Sequence, residues 1–192
     1  MFRLGLTGSI GMGKSTTAGF FVEQGVPVWD ADAAVHRLYA PGGAAVVPLA
    51  KVWPSAMRDG AIDRAALKTA IAADPGALGR IEAIVHPLVA ADRAAFSPDS
   101  DIAVFDIPLL FEKGTEAQMD ATLLVTAPPD VQRARVMARP GMTGAMFATI
   151  LARQMPDSDK RARATHIIET LSLDAARAAV QALIDYIRTG HA

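Results

Sequence analysis

Gly8-Ser9-Ile10-Gly11-Met12-Gly13-Lys14-Ser15 satisfies the pattern G-x-x-x-x-G-K-[S/T] at every specified position. In a chain of 192 residues, chance produces such a match with a probability of about one per cent or less. The flanking sequence adds to it. Phe2 to Leu6 is a short apolar run of β-forming residues, and Lys14 to Gln24 has the length of a helix. Strand, glycine-rich loop and helix is the setting in which this pattern cradles phosphates.

The residue types follow from the chemistry of a triphosphate. Glycines let the backbone bend so that successive N–H groups converge on an anion. The helix that starts near Lys14 adds the positive end of its dipole. Lys14 supplies a mobile charge for the outer phosphates, and the Ser15 hydroxyl is a ligand for magnesium. Thr16 either contacts a phosphate from the same turn or simply starts the helix. Ser9 and Met12 need supply only backbone. The expected donor contacts are therefore Gly8, Gly11, Met12, Gly13, Lys14, Ser15 and Thr16, and the expected ligand is ATP with Mg2+.

Outward from the loop, Val26 to Asp30 is a second strand, set off by Gly25 past the helix end and by Pro27, which prevents the helix from continuing. Ile102 to Ile107 and Ala121 to Thr126 are apolar for nearly their full length, as strands covered on both faces must be. Thr165 to Glu169 is a last strand, with helical patterns at Pro129 to Ala138, Thr143 to Gln154 and Leu173 to Ile187. The predicted fold is α/β, a doubly wound and mainly parallel sheet.

Residues 32–100 contain no convincing strand and several alanine-rich, helix-length segments, near Ala33 to Tyr39, Ala44 to Val52, Arg64 to Ala72 and Gly76 to Phe96. They read as a helical insertion placed where open α/β sheets bind ligands, and so as the acceptor region. The whole of 1–192 is one domain on this reading, with 1–31 and 101–192 as the nucleotide-binding core.

Composition limits the partners. Hydrophobic residues make up 51% of the chain and charged ones 20%, with a formal charge of -1. That supports a buried core and gives no basic field to hold nucleic acid. The absence of cysteine excludes disulfides, thiolate metal sites and a cysteine nucleophile. The apolar stretch at the start is too short for a signal, and no segment approaches the length of a membrane span. The expectation is a cytoplasmic protein acting on small molecules.

Asp30-Ala31-Asp32 falls where the second strand ends. Asp32 is either the N-cap of the next helix or the carboxylate that orients an attacking hydroxyl and accepts its proton; Asp30 has the better claim to a supporting or capping role. Asp106, closing an apolar strand, has the form of a magnesium carboxylate. Glu112 either faces the same cleft or begins a helix. Gln132, Arg135 and Arg139 share a helical stretch before Pro140-Gly141, where a lid hinge would lie, so the lid is placed near 139–155. Arg139 is the preferred lid residue, closing over charge that develops during transfer, with Arg153 second; Arg133 and, less firmly, Arg135 read as a solvated face. Trp29 and Trp53 read as packing residues, and His36, His86 and His166 carry no role from sequence alone.

Taken in order, these strings resemble the dephospho-CoA kinase family over nearly the entire chain. The matches are Gly5 to Ser15, Asp30-Ala31-Asp32, Asp59-Gly60-Ala61-Ile62-Asp63-Arg64, His86-Pro87, Asp106-Ile107-Pro108-Leu109-Leu110-Phe111-Glu112, the Gln132/Arg135/Arg139 set and Gln154. The resemblance implies a parallel-sheet core, a helical CoA-binding region and a lid. It implies that ATP phosphorylates the ribose 3'-hydroxyl of dephospho-CoA, the last step of coenzyme A synthesis. It carries the base to Asp32, the lid arginine to Arg139, and acceptor contacts to Asp32, His86 and Pro87. With Lys14, Asp32 and Arg139 form the expected catalytic set; Ser15 and Asp106 are the expected metal contacts. The chain departs from the family at Ser9, Met12, Thr165 and Thr170. A kinase of the same architecture with another acceptor is the nearest rival. A GTP-dependent switch would need a guanine-reading Asn-Lys-x-Asp, and the chain has no asparagine.

Overall fold

The computed structural model describes residues 1–190. They fall into two compact units: Met1–Trp29 together with the chain from Pro98 on, and Asp30–Ser97.

The first unit is built on a sheet of order β2-β5-β1-β6-β7, with β1 at Phe2–Thr7, β2 at Val28–Asp30, β5 at Ile102–Asp106, β6 at Ala121–Thr126 and β7 at His166–Glu169. β1 pairs in parallel with β5 and β6, and β6 with β7. The registers Leu6↔Asp106 and Thr7↔Leu124 bring three strand ends to one edge. β5 and β6 are buried at every residue, which explains their unbroken apolar sequence.

Helix α1, Lys14–Glu23, and helix α9, Leu173–Arg188, cover one face of the sheet. Ala176, Val180, Leu183, Ile184 and Ile187 fall on one stripe of α9 at helical spacing. They pack with Phe20 and Phe21 of α1 against Leu4, Leu6, Val104, Leu123 and Val125. Truncating Ile184, fully buried there, to alanine would cost about 2–5 kcal/mol. Ser172 caps α9 by accepting from the Ala175 N–H at 3.2 Å. Three further helices, α6 at Pro129–Met137, α7 at Gly144–Leu151 and α8 at Asp157–Arg163, connect β6 to β7. α8 has no counterpart in the sequence expectation. Apart from Ala162 its residues are polar, and its inward group is Lys160, so it carries no apolar period.

The second unit holds α2 at Ala31–Tyr39, α3 at Val46–Val52, α4 at Arg64–Ala73 and α5 at Ala77–Ala95 around Leu38, Leu49, Ile62, Leu67, Ile81 and Val85. It is not purely helical as expected: β3, Met57–Arg58, and β4, Ala61–Ile62, form an antiparallel hairpin. The turn is Asp59-Gly60, both at positive φ (50° and 76°). That is the backbone of a two-residue hairpin turn, and an Asp-Gly pair is its sequence signal. Asp63 then caps α4, accepting from the Ala65 N–H at 2.8 Å.

Among the described residues, no helix is long and apolar enough to cross a membrane.

Candidate active site

The glycine-rich loop joins β1 to α1 at the carboxyl edge of the sheet, where open α/β sheets bind ligands. It lies so close to β6 that a Cβ on Gly8 would sit 2.6 Å from Val125 Cγ2 and 2.7 Å from the Val125 carbonyl oxygen. Only glycine fits. Gly13 occupies the N-cap position of α1 at φ 88°, a conformation that side-chain-bearing residues rarely adopt, and no side chain caps the helix there. The start of α1 is thus left to an external acceptor.

The loop is anchored residue by residue. Ile10 is held on both sides: its N–H donates to Gln154 Oε1 at 3.1 Å, and its carbonyl accepts from Gln132 Nε2 at 2.8 Å. The Met12 carbonyl accepts from the Thr170 hydroxyl at 2.8 Å, and the Met12 sulfur accepts from the Ala127 N–H at 3.0 Å. Ser9 Oγ accepts from Lys160 Nζ at 3.4 Å. To the phosphates Ser9 and Met12 need supply only backbone. Their side chains are in fact buried, Met12 bonded to Ala127 just past β6 and Ser9 to Lys160 of α8, so this loop does not stand free.

Lys14, the first residue of α1, directs its ammonium at the Asp106 carboxylate at the end of β5, forming an ion pair with a carboxylate that is 2% exposed. Ser15 and Thr16 follow on the exposed side of the first helical turn. The Ser15 hydroxyl and the Asp106 carboxylate are hard oxygen donors, suited to magnesium. Among the described residues there is no cluster of three or more His, Cys, Asp or Glu that could hold a metal alone. A partial oxygen set of this kind fits Mg2+, which takes few protein ligands and fills its octahedron with phosphate oxygens and water.

Glu112 does not begin a helix; it lies in the turn after β5 and pairs with Lys160 at 2.9 Å. Burial alone would raise its carboxyl pKa. The Lys160 hydrogen bond and the Met155 N–H outweigh that effect and hold it below the usual carboxylate range.

Beside the loop lies a cavity of about 410 Å3, lined among others by Gly13, Thr16, Arg135, Arg139, Leu171 and Leu173. Arg135 was expected on a solvated face. Instead its guanidinium turns inward and donates to the Thr170 hydroxyl at 2.9 Å and to the Thr170 carbonyl, so it fixes the end of β7 to α6. Arg139, just past α6, is exposed on the cavity wall. Leu171 and Leu173 are 58% and 65% exposed, unusually open for leucines and suited to the face of a flat ligand.

In the second unit, Asp30 is the N-cap of α2, accepting from the Ala33 N–H at 2.8 Å. The capping position is therefore taken, and Asp32, with its exposed side chain in the first turn, is not the cap. His86 and Pro87 sit within α5 and are both exposed; His86 Nε2 is 3.9 Å from Glu82 Oε1. His36, on α2, meets the Arg64 guanidinium at 3.1 Å.

A family model described as Dephospho-CoA kinase matches residues 2–174. The chain is similar to the Dephospho-CoA kinase of Cereibacter sphaeroides, 70% identical over 189 residues that cover 97% of this chain and 96% of the relative. Among solved structures it resembles TT1252 from Thermus thermophilus, with a TM-score of 0.80 and 37% identity over 96% of each chain. The Dephospho-CoA kinase of Campylobacter jejuni shares the fold, with a TM-score of 0.75 and 23% identity over 99% of this chain and 98% of that one.

Proposed function

The chain belongs to the dephospho-CoA kinase family, and from that premise we propose that it transfers the terminal phosphoryl group of ATP to the ribose 3'-hydroxyl of dephospho-CoA, giving CoA and ADP. The observation that carries this reading is the Lys14–Asp106 pair at the mouth of a glycine loop whose helix start is uncapped. A cation, a carboxylate and converging amides are what the terminal phosphates of a donor require.

In this reading the loop, Gly8 to Thr16, takes the phosphates, and Lys14 turns from Asp106 toward them when nucleotide binds. The Lys14 charge then offsets the negative charge that builds on the transferring group. Mg2+, held by Ser15 and Asp106, would supply further neutralisation of the phosphate oxygens. Asp32 orients the acceptor hydroxyl and receives its proton late in the transfer. Residues 32–100 hold the acceptor, with His86 and Pro87 among its contacts, and 139–155 form a lid that brings Arg139 over the phosphates. The cavity beside Arg135 and Leu173 takes the nucleoside end of ATP. The reaction is the last step of coenzyme A synthesis, placed in the cytoplasm, with no nucleic acid or membrane partner.

The test is an ADP-release assay with ATP and magnesium, offering dephospho-CoA, AMP, GMP, shikimate and water as acceptors. ADP formed with dephospho-CoA alone, and CoA as product, is the expected result. Turnover with a different acceptor alone would sink the assignment while leaving a phosphoryl-transfer enzyme.

A further inference from the structure

Lys160 is the one charged residue among those described whose exposure is 0%. Burying an ammonium is costly, and pairing it with a buried carboxylate seldom does better for stability than apolar side chains of the same volume. The stability of α8 alone therefore does not call for a lysine at this position. Its contacts explain it better. Nζ reaches Glu112 Oε1 at 2.9 Å and Ser9 Oγ, in the phosphate loop, at 3.4 Å. The same Glu112 oxygen accepts from the Met155 N–H at 2.9 Å, and the side chain of the preceding residue, Gln154, accepts from the Ile10 N–H at 3.1 Å. Two adjacent loop residues, Ser9 and Ile10, are thereby stitched to two adjacent residues of the turn between α7 and α8. The Lys160–Glu112 pair is the knot.

We propose that Lys160 and Glu112 are positioning residues that set the curvature of the phosphate loop through the Ser9 hydroxyl, and that phosphoryl transfer depends on their charge as a pair. The proposal rests on the reading that Gly8 to Thr16 holds the donor phosphates. The pair acts at a distance, since neither residue belongs to the set that touches the nucleotide. Glu112 Oε2 is buried with no hydrogen-bond partner among the described residues, so the carboxylate is fastened through one oxygen only. Loss of the lysine leaves that anion in place with its main partner gone, and the Gln154–Met155 turn then shifts relative to Ile10. Errors of about 1 Å in the placement of reacting groups lower turnover by about a hundredfold.

The experiment compares Lys160→Met, Lys160→Arg, the double variant Lys160→Met with Glu112→Gln, and Ser9→Ala. Thermal melting, ADP affinity by calorimetry, and kcat and KM are measured for each. Lys160→Met is expected to melt early because it strands a half-buried carboxylate whose Oε2 is already without a partner among the described residues. The double variant carries no stranded charge and should regain most of the melting temperature. It should still turn over at least ~10-fold more slowly, with weakened ADP affinity and an unchanged KM for dephospho-CoA. Lys160→Arg should recover part of kcat. Ser9→Ala should lower ADP affinity with only a small fall in melting temperature, because Lys160 keeps its Glu112 partner. A double variant with wild-type kcat and ADP affinity, or a Ser9→Ala protein that binds ADP as the parent does, would overturn the proposal and leave the pair as packing. The ADP arm does not involve the acceptor, so a wild-type protein that binds ADP but ignores dephospho-CoA counts against the assigned acceptor and not against the positioning role.

Discussion

The Thr170 hydroxyl, just past β7, donates to the Met12 carbonyl across 2.8 Å and accepts from Arg135 at 2.9 Å, so one side chain fastens the phosphate loop to the end of β7 and to α6. Thr170 is 6% exposed, and a Cβ on Gly13 would come within 3.1 to 3.2 Å of it. Replacing it with valine keeps the shape and removes the hydroxyl. The Met12 carbonyl then loses its donor inside the protein, at a cost of about 1–3 kcal/mol. Thr170→Val should therefore melt earlier and show a raised KM for ATP with an unchanged KM for dephospho-CoA. Urea denaturation together with initial rates at varied ATP checks both, and an unchanged KM for ATP would show that the loop does not need this tie.

Asp30 and Asp32 should separate cleanly. Asp30 makes the cap hydrogen bond of α2, so Asp30→Ala should lose about 1 kcal/mol of stability. Asp32→Asn leaves that cap untouched. If Asp32 receives the acceptor proton, turnover should fall by about a hundredfold or more, with ATP affinity and melting temperature close to the parent. Parallel rate and calorimetric measurements decide it; an Asp32→Asn protein with normal kcat would remove the base assignment.

His166 gives the fold a pH dependence of definite sign. Its ring is half-buried on β7, Nε2 is buried without a hydrogen-bond partner among the described residues, and the ring meets Tyr186 edge-on with centroids 5.8 Å apart. Burial disfavours the imidazolium and pushes the pKa below its ordinary value. Above the unfolded-state value of about 6.5 both states are neutral and the residue adds no slope. As the pH falls below that, the unfolded chain takes up the proton first, so stability declines until the folded-state value is passed. Urea melts between about pH 5 and about pH 7 should show this decline, and His166→Phe, which keeps the edge contact, should flatten it. A slope unchanged by the substitution would assign the decline to other groups.

The parts of this fold that were legible in the sequence are those whose physics is local. The glycine spacing at Gly8, Gly11 and Gly13 follows from backbone geometry, and the apolar runs of β5 and β6 follow from burial on both faces. Asp106 was readable as an acid closing an apolar strand. Lys160 was not, because a charged residue in a short polar helix looks like surface until the tertiary structure closes over it. The role of Arg135 was hidden for a related reason. Its spacing from Arg139 suggested a shared face, while the inward turn of its guanidinium depends on Thr170, which lies 35 residues further on. The Asp59-Gly60 hairpin had a readable turn signal, but strands of two residues are too short to show alternation.

Arg135 and Arg139 now divide by what they hold. Arg135 is bonded to both the hydroxyl and the carbonyl of Thr170, so Arg135→Met removes two charge-assisted hydrogen bonds at the loop's support. It should lower the melting temperature and weaken ATP binding together. Arg139 is exposed on the cavity wall, and its truncation should leave the fold intact. If it closes over the phosphates during transfer, Arg139→Ala should lower kcat by about a hundredfold with little change in ADP affinity, since its contact forms mainly in the transition state. Lysine at this position should recover only part of the rate, because an ammonium lacks the planar fork that grips a phosphoryl group on two oxygens. Pre-steady-state rates with ATP and dephospho-CoA separate these outcomes. An Arg139→Ala enzyme whose ADP affinity falls as far as its kcat would place the arginine on the ground-state nucleotide and not on the developing charge.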